Sequence, residues 1–143
     1  MKRSITYTLA VMLALMACRH EPAPEEFALQ AAKVYYEQLV NGDCESFVDG
    51  TLLGDTIAPT YRAQLVLNMK MYLEQQQEHG GITAVEALRA KCDTITLKGI
   101  KNREGQDSTI RVADAFLTLQ YADSTREEIV VPMIEKAAIW YMR

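Results

Sequence analysis

Side chains that usually carry catalysis or hold transition metals are scarce in this chain. It has two histidines, three cysteines and one tryptophan among 143 residues. His20 and His79 stand 59 positions apart, one in a proline-bearing segment and one at the end of a predicted helix. They form no Ser/His/Asp set and no Cys/His cluster with zinc spacing, and no glycine-rich phosphate loop is present. Nothing in the sequence calls for a metal or an organic cofactor. Lys and Arg number 15 against 19 Asp and Glu, for a net charge of −4. An acidic chain without a basic stripe argues against nucleic acid as a partner.

What the chain does have begins at its first residue. Met1-Lys2-Arg3 is basic and residues 5–17 are mostly apolar. About 13 such residues fall short of the roughly 20 that span a bilayer as a helix, and they match the basic and apolar regions of a secretory signal. Leu15-Met16-Ala17-Cys18 resembles the lipobox of bacterial lipoproteins. That resemblance implies cleavage before Cys18, whose sulfur and new amino terminus would carry acyl chains. At ~0.8 kcal/mol per buried methylene, several such chains make anchoring permanent. The implied location is the bacterial cell envelope, lipid-anchored, with the outer membrane as the expected host.

Three units follow: a signal peptide over 1–17, a lipidated tether over 18–24 and a single domain over 25–143. Cleavage leaves 126 residues (143 less 17) and, with Lys2 and Arg3 gone, a net charge of −6. This is one domain's worth of chain. The tether, R-H-E-P-A-P over 19–24, is polar and stiff. Fully extended, it keeps the domain within roughly 20–25 Å of the membrane.

The first half of the domain is helical in pattern. Glu25-Glu26 favour a helix N-terminus, and Ala28, Ala31, Ala32, Tyr35 and Leu39 recur on one helical face before the stop at Asn41-Gly42. Asp43 fits the N-cap of a short second helix. Pro59 fits the first turn of a third helix, running to about His79, with Tyr61, Leu65, Met69, Tyr72 and Leu73 as its buried stripe. Tyr35, Tyr36, Tyr61 and Tyr72 suggest an aromatic ligand cage, but aromatics at helical spacing are read more simply as core. Met69 and Met71 fall on different faces and form no thioether pair.

The second half reads as sheet. Gly80-Gly81 isolates residues 82–97, taken as a strand although 82–92 is rich in helix formers. Residues 98–108, with Gly99 and Gly105, read as an exposed loop. Two β-prone runs, 110–121 and 126–135, form a hairpin, and 138–142 adds a third strand. A two-residue turn at Asp123-Ser124 places Phe116 opposite Val131 and Thr118 opposite Ile129 on one face. Leu117 then opposes Val130 and Leu119 opposes Glu128 on the other, leaving both faces partly apolar. Pro132 implies an edge position or a bulge. Trp140 points to the face opposite its neighbours Ile139 and Tyr141, where it would anchor the first helix through Ala28, Ala32 and Tyr35.

Candidate site residues are few. Asp114, between Ala113 and Ala115 in an apolar strand, could be a base with a raised pKa if desolvated; facing solvent, it is an ordinary surface acid. Cys44 and Cys92 remain once Cys18 is lipidated. In an oxidising compartment they could form a disulfide closing about 49 residues, for ~4 kcal/mol in the chain-entropy model, or stay as buried thiols.

The succession of a helix, Asn41-Gly42-Asp43, a short helix, a long helix from Pro59-Thr60-Tyr61-Arg62 and an antiparallel sheet ending in Trp140 resembles the nuclear-transport-factor-2-like (cystatin-like) α+β fold. Asn41-Gly42-Asp43, Gly80-Gly81, the turn from Tyr121 through Glu128 and Val131-Pro132-Met133 are similar to features of small bacterial lipoproteins with that domain. Ser124 stands where that family usually has glycine, and the 98–108 segment is longer than usual. The resemblance implies helices packed on a curved antiparallel sheet able to hold a small apolar ligand. It leaves three functional readings. The chain could be a non-enzymatic envelope lipoprotein binding a small apolar molecule or a partner protein. It could be a ketosteroid-isomerase-like acid/base enzyme using Asp114 with a tyrosine such as Tyr35. Or it could be a structural module that forms a homodimer through its sheet.

Overall fold

In the computed structural model, which describes residues 21–52 and 56–143, helix α1 (Pro24–Val40) lies across a four-stranded antiparallel sheet. Two further helices, α2 (Cys44–Asp49) and α3 (Pro59–Gln76), flank α1, and a 3-10 turn at Gln77–His79 leads into the sheet. The strands are β1 (Ile82–Lys101), β2 (Asp107–Tyr121), β3 (Arg126–Lys136) and β4 (Ile139–Met142), in spatial order β1-β2-β3-β4.

Local chemistry sets the helix boundaries. Pro24 opens α1 with Glu25 and Glu26 in the first turn, where the orphan N–H groups favour negative charge. Asp43 caps α2 by accepting the Ser46 N–H at 3.1 Å. Arg62 of α3 forks onto Asp49 with two 2.8 Å bonds, tying α3 to α2. Leu39, Cys44, Val48 and Val66 then bury together between the three helices. Tyr61, expected in the buried stripe of α3, is instead 54% exposed. It lies at the helix's first turn, before the contact with α2 begins.

The larger cluster joins α1 to the sheet. Ala28 and Ala32 are fully buried against Ala115, Leu117, Leu119, Val131, Met133 and Trp140. Small alanines let the helix axis approach closely, so large side chains of the sheet pack around it. Gly50 is needed for the same reason of space, since a Cβ there would sit 2.5 Å from the Tyr35 ring.

The hairpin register differs by one residue from the one expected. Phe116 pairs with Val130, Leu117 with Ile129 and Thr118 with Glu128, because Ala122-Asp123-Ser124 forms a three-residue loop. The Tyr121 N–H donates to the Thr125 carbonyl at 2.9 Å, and Ser124 adopts φ 70°. That shift has a large consequence. Ala113, Ala115, Leu117 and Leu119 now share a face with Ile129, Val131 and Met133. The core therefore lies on one face, and the other carries Asp114, Thr118 and Glu128 beside Phe116 and Val130. A non-glycine in the left-handed region costs ~1–2 kcal/mol, partly offset by its stiffer unfolded chain. Ser124→Gly is therefore expected to raise the thermal midpoint by about 2–4 °C, read by circular dichroism.

The expected 98–108 loop is mostly strand. β1 runs on to Lys101 and β2 starts at Asp107. Gly99, at φ 84°, absorbs the irregularity, Lys101 pairs with Asp107 at 2.7 Å, and the Asn102 carboxamide accepts two turn N–H groups at 3.0 Å. Pro132 sits opposite Asp114 without a bulge between β2 and β3. Its carbonyl accepts the Arg143 N–H just past the end of β4, so the missing donor lies on the side where β3 is running out of neighbour.

Candidate ligand groove

The most developed concave site lies between the N-terminal half of α1 and the β3–β4 hairpin, a groove of about 710 Å³. Its helix wall is Phe27, Ala31 and Val34, a second stripe of α1 rotated away from the Ala28/Ala32/Leu39 stripe that meets the sheet. Its sheet wall is Ala138, Ile139 and Trp140. Phe27, Val34 and Ile139 are 53, 39 and 52% exposed. Three large apolar side chains thus stand partly in solvent around one concavity, while Trp140 beneath them is 6% exposed.

The hairpin that brings β4 under α1 is tight. Ala137 and Ala138 both take positive φ, 51° and 63°, the conformation of a two-residue turn normally filled by Asn-Gly. Lys136 thereby pairs with Ile139 and Glu135 with Trp140. The inner end of the groove is closed by Tyr35, whose hydroxyl donates to the Trp140 carbonyl at 2.8 Å. Burial, then the neighbouring Tyr141, push the Tyr35 pKa upward. It is a neutral donor holding helix to strand.

One polar feature interrupts the apolar lining. Arg111 Nε meets Glu135 Oε2 at 3.2 Å, with the Glu135 side chain 20% exposed and that of Arg111 50%. The pair sets a donor and an acceptor side by side at the edge of the groove.

A separate polar constellation lies at the opposite end of α1. The Tyr121 hydroxyl donates to Glu127 at 2.7 Å, and the His79 ring lies edge-on to Tyr121 at 5.6 Å. His79 Nδ1 is 3.1 Å from the Asp123 carboxylate. Tyr36 and Tyr72 adjoin this group: burial first, then the charges of Tyr72 and Glu127, push the Tyr36 pKa up to about 12. Tyr121 is raised as well, by burial first and then by its bond to Glu127. These contacts join helices to strands.

The residues singled out in the sequence are dispersed. Asp114 lies on the outer face, half exposed and 3.8 Å from Arg143, whereas Tyr35 lies on the inner side. The two do not converge on one ligand, which an acid/base pair requires. Cys44 is buried among the helices and Cys92 packs against the sheet cluster, both as free thiols. The disulfide considered from the sequence is not formed. Burial raises both thiol pKa values. Cys18 and His20 lie outside the described residues. Among the described residues no group of three or more His, Cys, Asp or Glu could hold a metal ion.

Phe27, Val34, Ile139, Arg111 and Glu135 were not singled out. Their signal was faint: Phe27, Ala31 and Val34 recur at i, i+4 and i+7 beside the alanine stripe, a second apolar stripe that a helix with one buried face does not need.

No family model and no curated protein matches this chain. A solved structure does: the crystal structure of a candidate NTF2-like transpeptidase from Campylobacter jejuni, 12% identical, covering 78% of this chain and 92% of that one with a TM-score of 0.52. At that identity the likeness speaks to architecture alone, and with helices followed by a curved four-stranded antiparallel sheet it shows that this domain has an NTF2-like α+β fold.

Proposed function

We propose that this chain is a lipid-anchored envelope protein whose NTF2-like domain holds a small, largely apolar ligand in the groove between α1 and the β3–β4 hairpin. The observation that carries this is the half-exposed trio Phe27, Val34 and Ile139 around about 710 Å³ of space. That volume falls in the range of small-molecule sites, roughly 300–1,000 Å³, which are mostly apolar with a few placed polar groups. Arg111 and Glu135 are those groups here, and an amide or a hydroxyl on the ligand could bond both.

The chain's start supports an apolar ligand drawn from the bilayer. Pro22 and Pro24 line the groove, and Pro22 is four residues from Cys18, a reach of at most ~14 Å. A lipid on Cys18 would hold the groove next to the membrane surface. A transpeptidase, as the Campylobacter jejuni protein is named, transfers an acyl group and needs an activated nucleophile. Among the described residues no Ser, Thr or Cys lines the groove, and its one hydroxyl, Tyr35, is engaged by Trp140. Binding without chemistry therefore suits the site better.

The test uses protein purified from its own membrane after growth with a fatty-acid analogue. Wild type should carry the label, and Cys18→Ser should not. Native mass spectrometry of the wild type should show a bound small molecule, with its occupancy cut at least tenfold in Ile139→Asp, a change at an already exposed position. An empty wild type that also fails to bind apolar fluorescent probes would overturn the ligand reading. Label on Cys18→Ser would overturn the anchor.

A further inference from the structure

The two edges of the sheet are treated differently by the rest of the chain. The β4 edge is sealed: the Met142 N–H donates to the Gly50 carbonyl and the Leu52 N–H to the Met142 carbonyl, both at 2.9 Å. The β1 edge has β2 on one side and, among the described residues, no strand on the other along all 20 of its residues. Only its first half is packed, with Val85, Ala87, Ala90 and Cys92 under α1. From residue 93 to residue 101 every side chain except Leu97 is exposed, including Ile95 at 40% and Ile100 at 58%. A two-stranded ribbon without a cover is marginal in water, and a long open edge invites another strand.

The sequence of this edge says which strand. In an antiparallel pairing of two β1 strands with Cys92 opposite its own copy, Lys91 of each chain faces Asp93 of the other, twice across the symmetry axis. Lys91 and Asp93 are both exposed, and both sit on the outer face, opposite Asp114 and Val112 of β2. Opposite charges directly across an antiparallel pair attract, and like charges repel. Moving the axis one residue either way would set Lys91 against Lys91 or Asp93 against Asp93. The bulge between Ala87 and Arg89 ends the regular register on one side, so residues 89–95 form its centre.

The same arrangement resolves the uncovered ribbon. Antiparallel pairing about Cys92 lays residues 93–101 of one copy beside the helix-covered half of β1 in the other. Both inner faces then point the same way. The two α1 helices start near the axis and run in opposite directions, each flanking the bare ribbon of its neighbour. We infer that the β1 edge is a self-association surface, through which two copies of this chain join their sheets into one of eight strands. The Thr94 N–H, which now donates to the Asp93 carboxylate at 2.7 Å, would exchange that bond for one to the second copy as Asp93 turns to Lys91.

Sedimentation equilibrium of the full chain in density-matched detergent tests this. Wild type should be dimeric. Lys91→Glu and Asp93→Lys should each weaken the dimer about tenfold or more, since each turns two attractive pairs repulsive. The double variant Lys91→Glu/Asp93→Lys should restore it. Both positions are exposed, and circular dichroism confirms that each variant folds. A short bis-maleimide should join two copies of wild type and of Cys44→Ser but not of Cys92→Ser. A monomeric wild type, a dimer indifferent to both charge reversals, a double variant that stays weak, or cross-linking that survives Cys92→Ser would each overturn the β1 interface. None of these outcomes bears on ligand occupancy of the groove.

Discussion

Trp140→Ala is expected to lower the stability of the domain by about 3–5 kcal/mol. The indole is 6% exposed, packed in the cluster that contains Ala28 and Ala32 of α1 and Met133 and Met142 of the sheet. Buried aromatics of this size remove on the order of 200 Å² from water. Their loss leaves a cavity that the backbone cannot close, because the Trp140 carbonyl is held by Tyr35 and β4 is pinned by residues 50–52. A domain of ordinary stability has only about 5–15 kcal/mol to lose, so this variant should be partly unfolded at 37 °C. Urea unfolding followed by circular dichroism measures the loss. In wild type the same residue, the only tryptophan, should emit at short wavelength and resist iodide. A loss below about 1 kcal/mol would mean that α1 is not held by this ring.

Alkaline pH should destabilise the protein steeply between pH 10 and 12. In the folded chain burial is the leading reason that Tyr36 ionises only at about 12, and Tyr121, Tyr72 and Tyr35 are shifted the same way. In the unfolded chain tyrosine ionises near 10. Below pH 10 both states keep these protons and stability is unaffected. Above it the unfolded state releases protons that the native state retains, so the unfolding free energy falls as pH rises through 12. The Tyr36 shift alone corresponds to a loss on the order of 2–3 kcal/mol across that window. Urea midpoints at pH 8, 10, 11 and 12 should show the decline, and Tyr36→Phe should flatten it. Equal slopes for wild type and Tyr36→Phe would show that this phenol is not protected by the fold.

Much of the helical half was legible because its determinants are local. The alanine stripe of α1, the Asp43 cap and Pro59 each act within one or two turns of chain, and each is found where the sequence implied. The inward direction of Trp140 was legible as well, from strand alternation and the room left by Ala28 and Ala32.

The sheet's details were not local in this sense. Its register rested on whether the turn held two or three residues, and a serine accepted the left-handed conformation that glycine would have signalled. That single residue decides which partners share a face, so it also decided that the core lies on one side only. The extension of β1 was hidden by Gly99 and its surrounding charges, whose effect is reversed by pairing with Asp107 from the next strand. The face of Asp114 followed from the same register together with the placement of α1.

What the sequence by itself determined, then, was the order of the elements, the helix that would be clasped and the residue that would anchor it, all consequences of short-range periodicity and capping. Only the tertiary structure decided the groove. Phe27 and Val34 become a wall because β4 turns back on Ala137 and Ala138 to face them, and Arg111 meets Glu135 because two strands align there. A concavity is a relation between surfaces distant in sequence, and no window of the chain contains it.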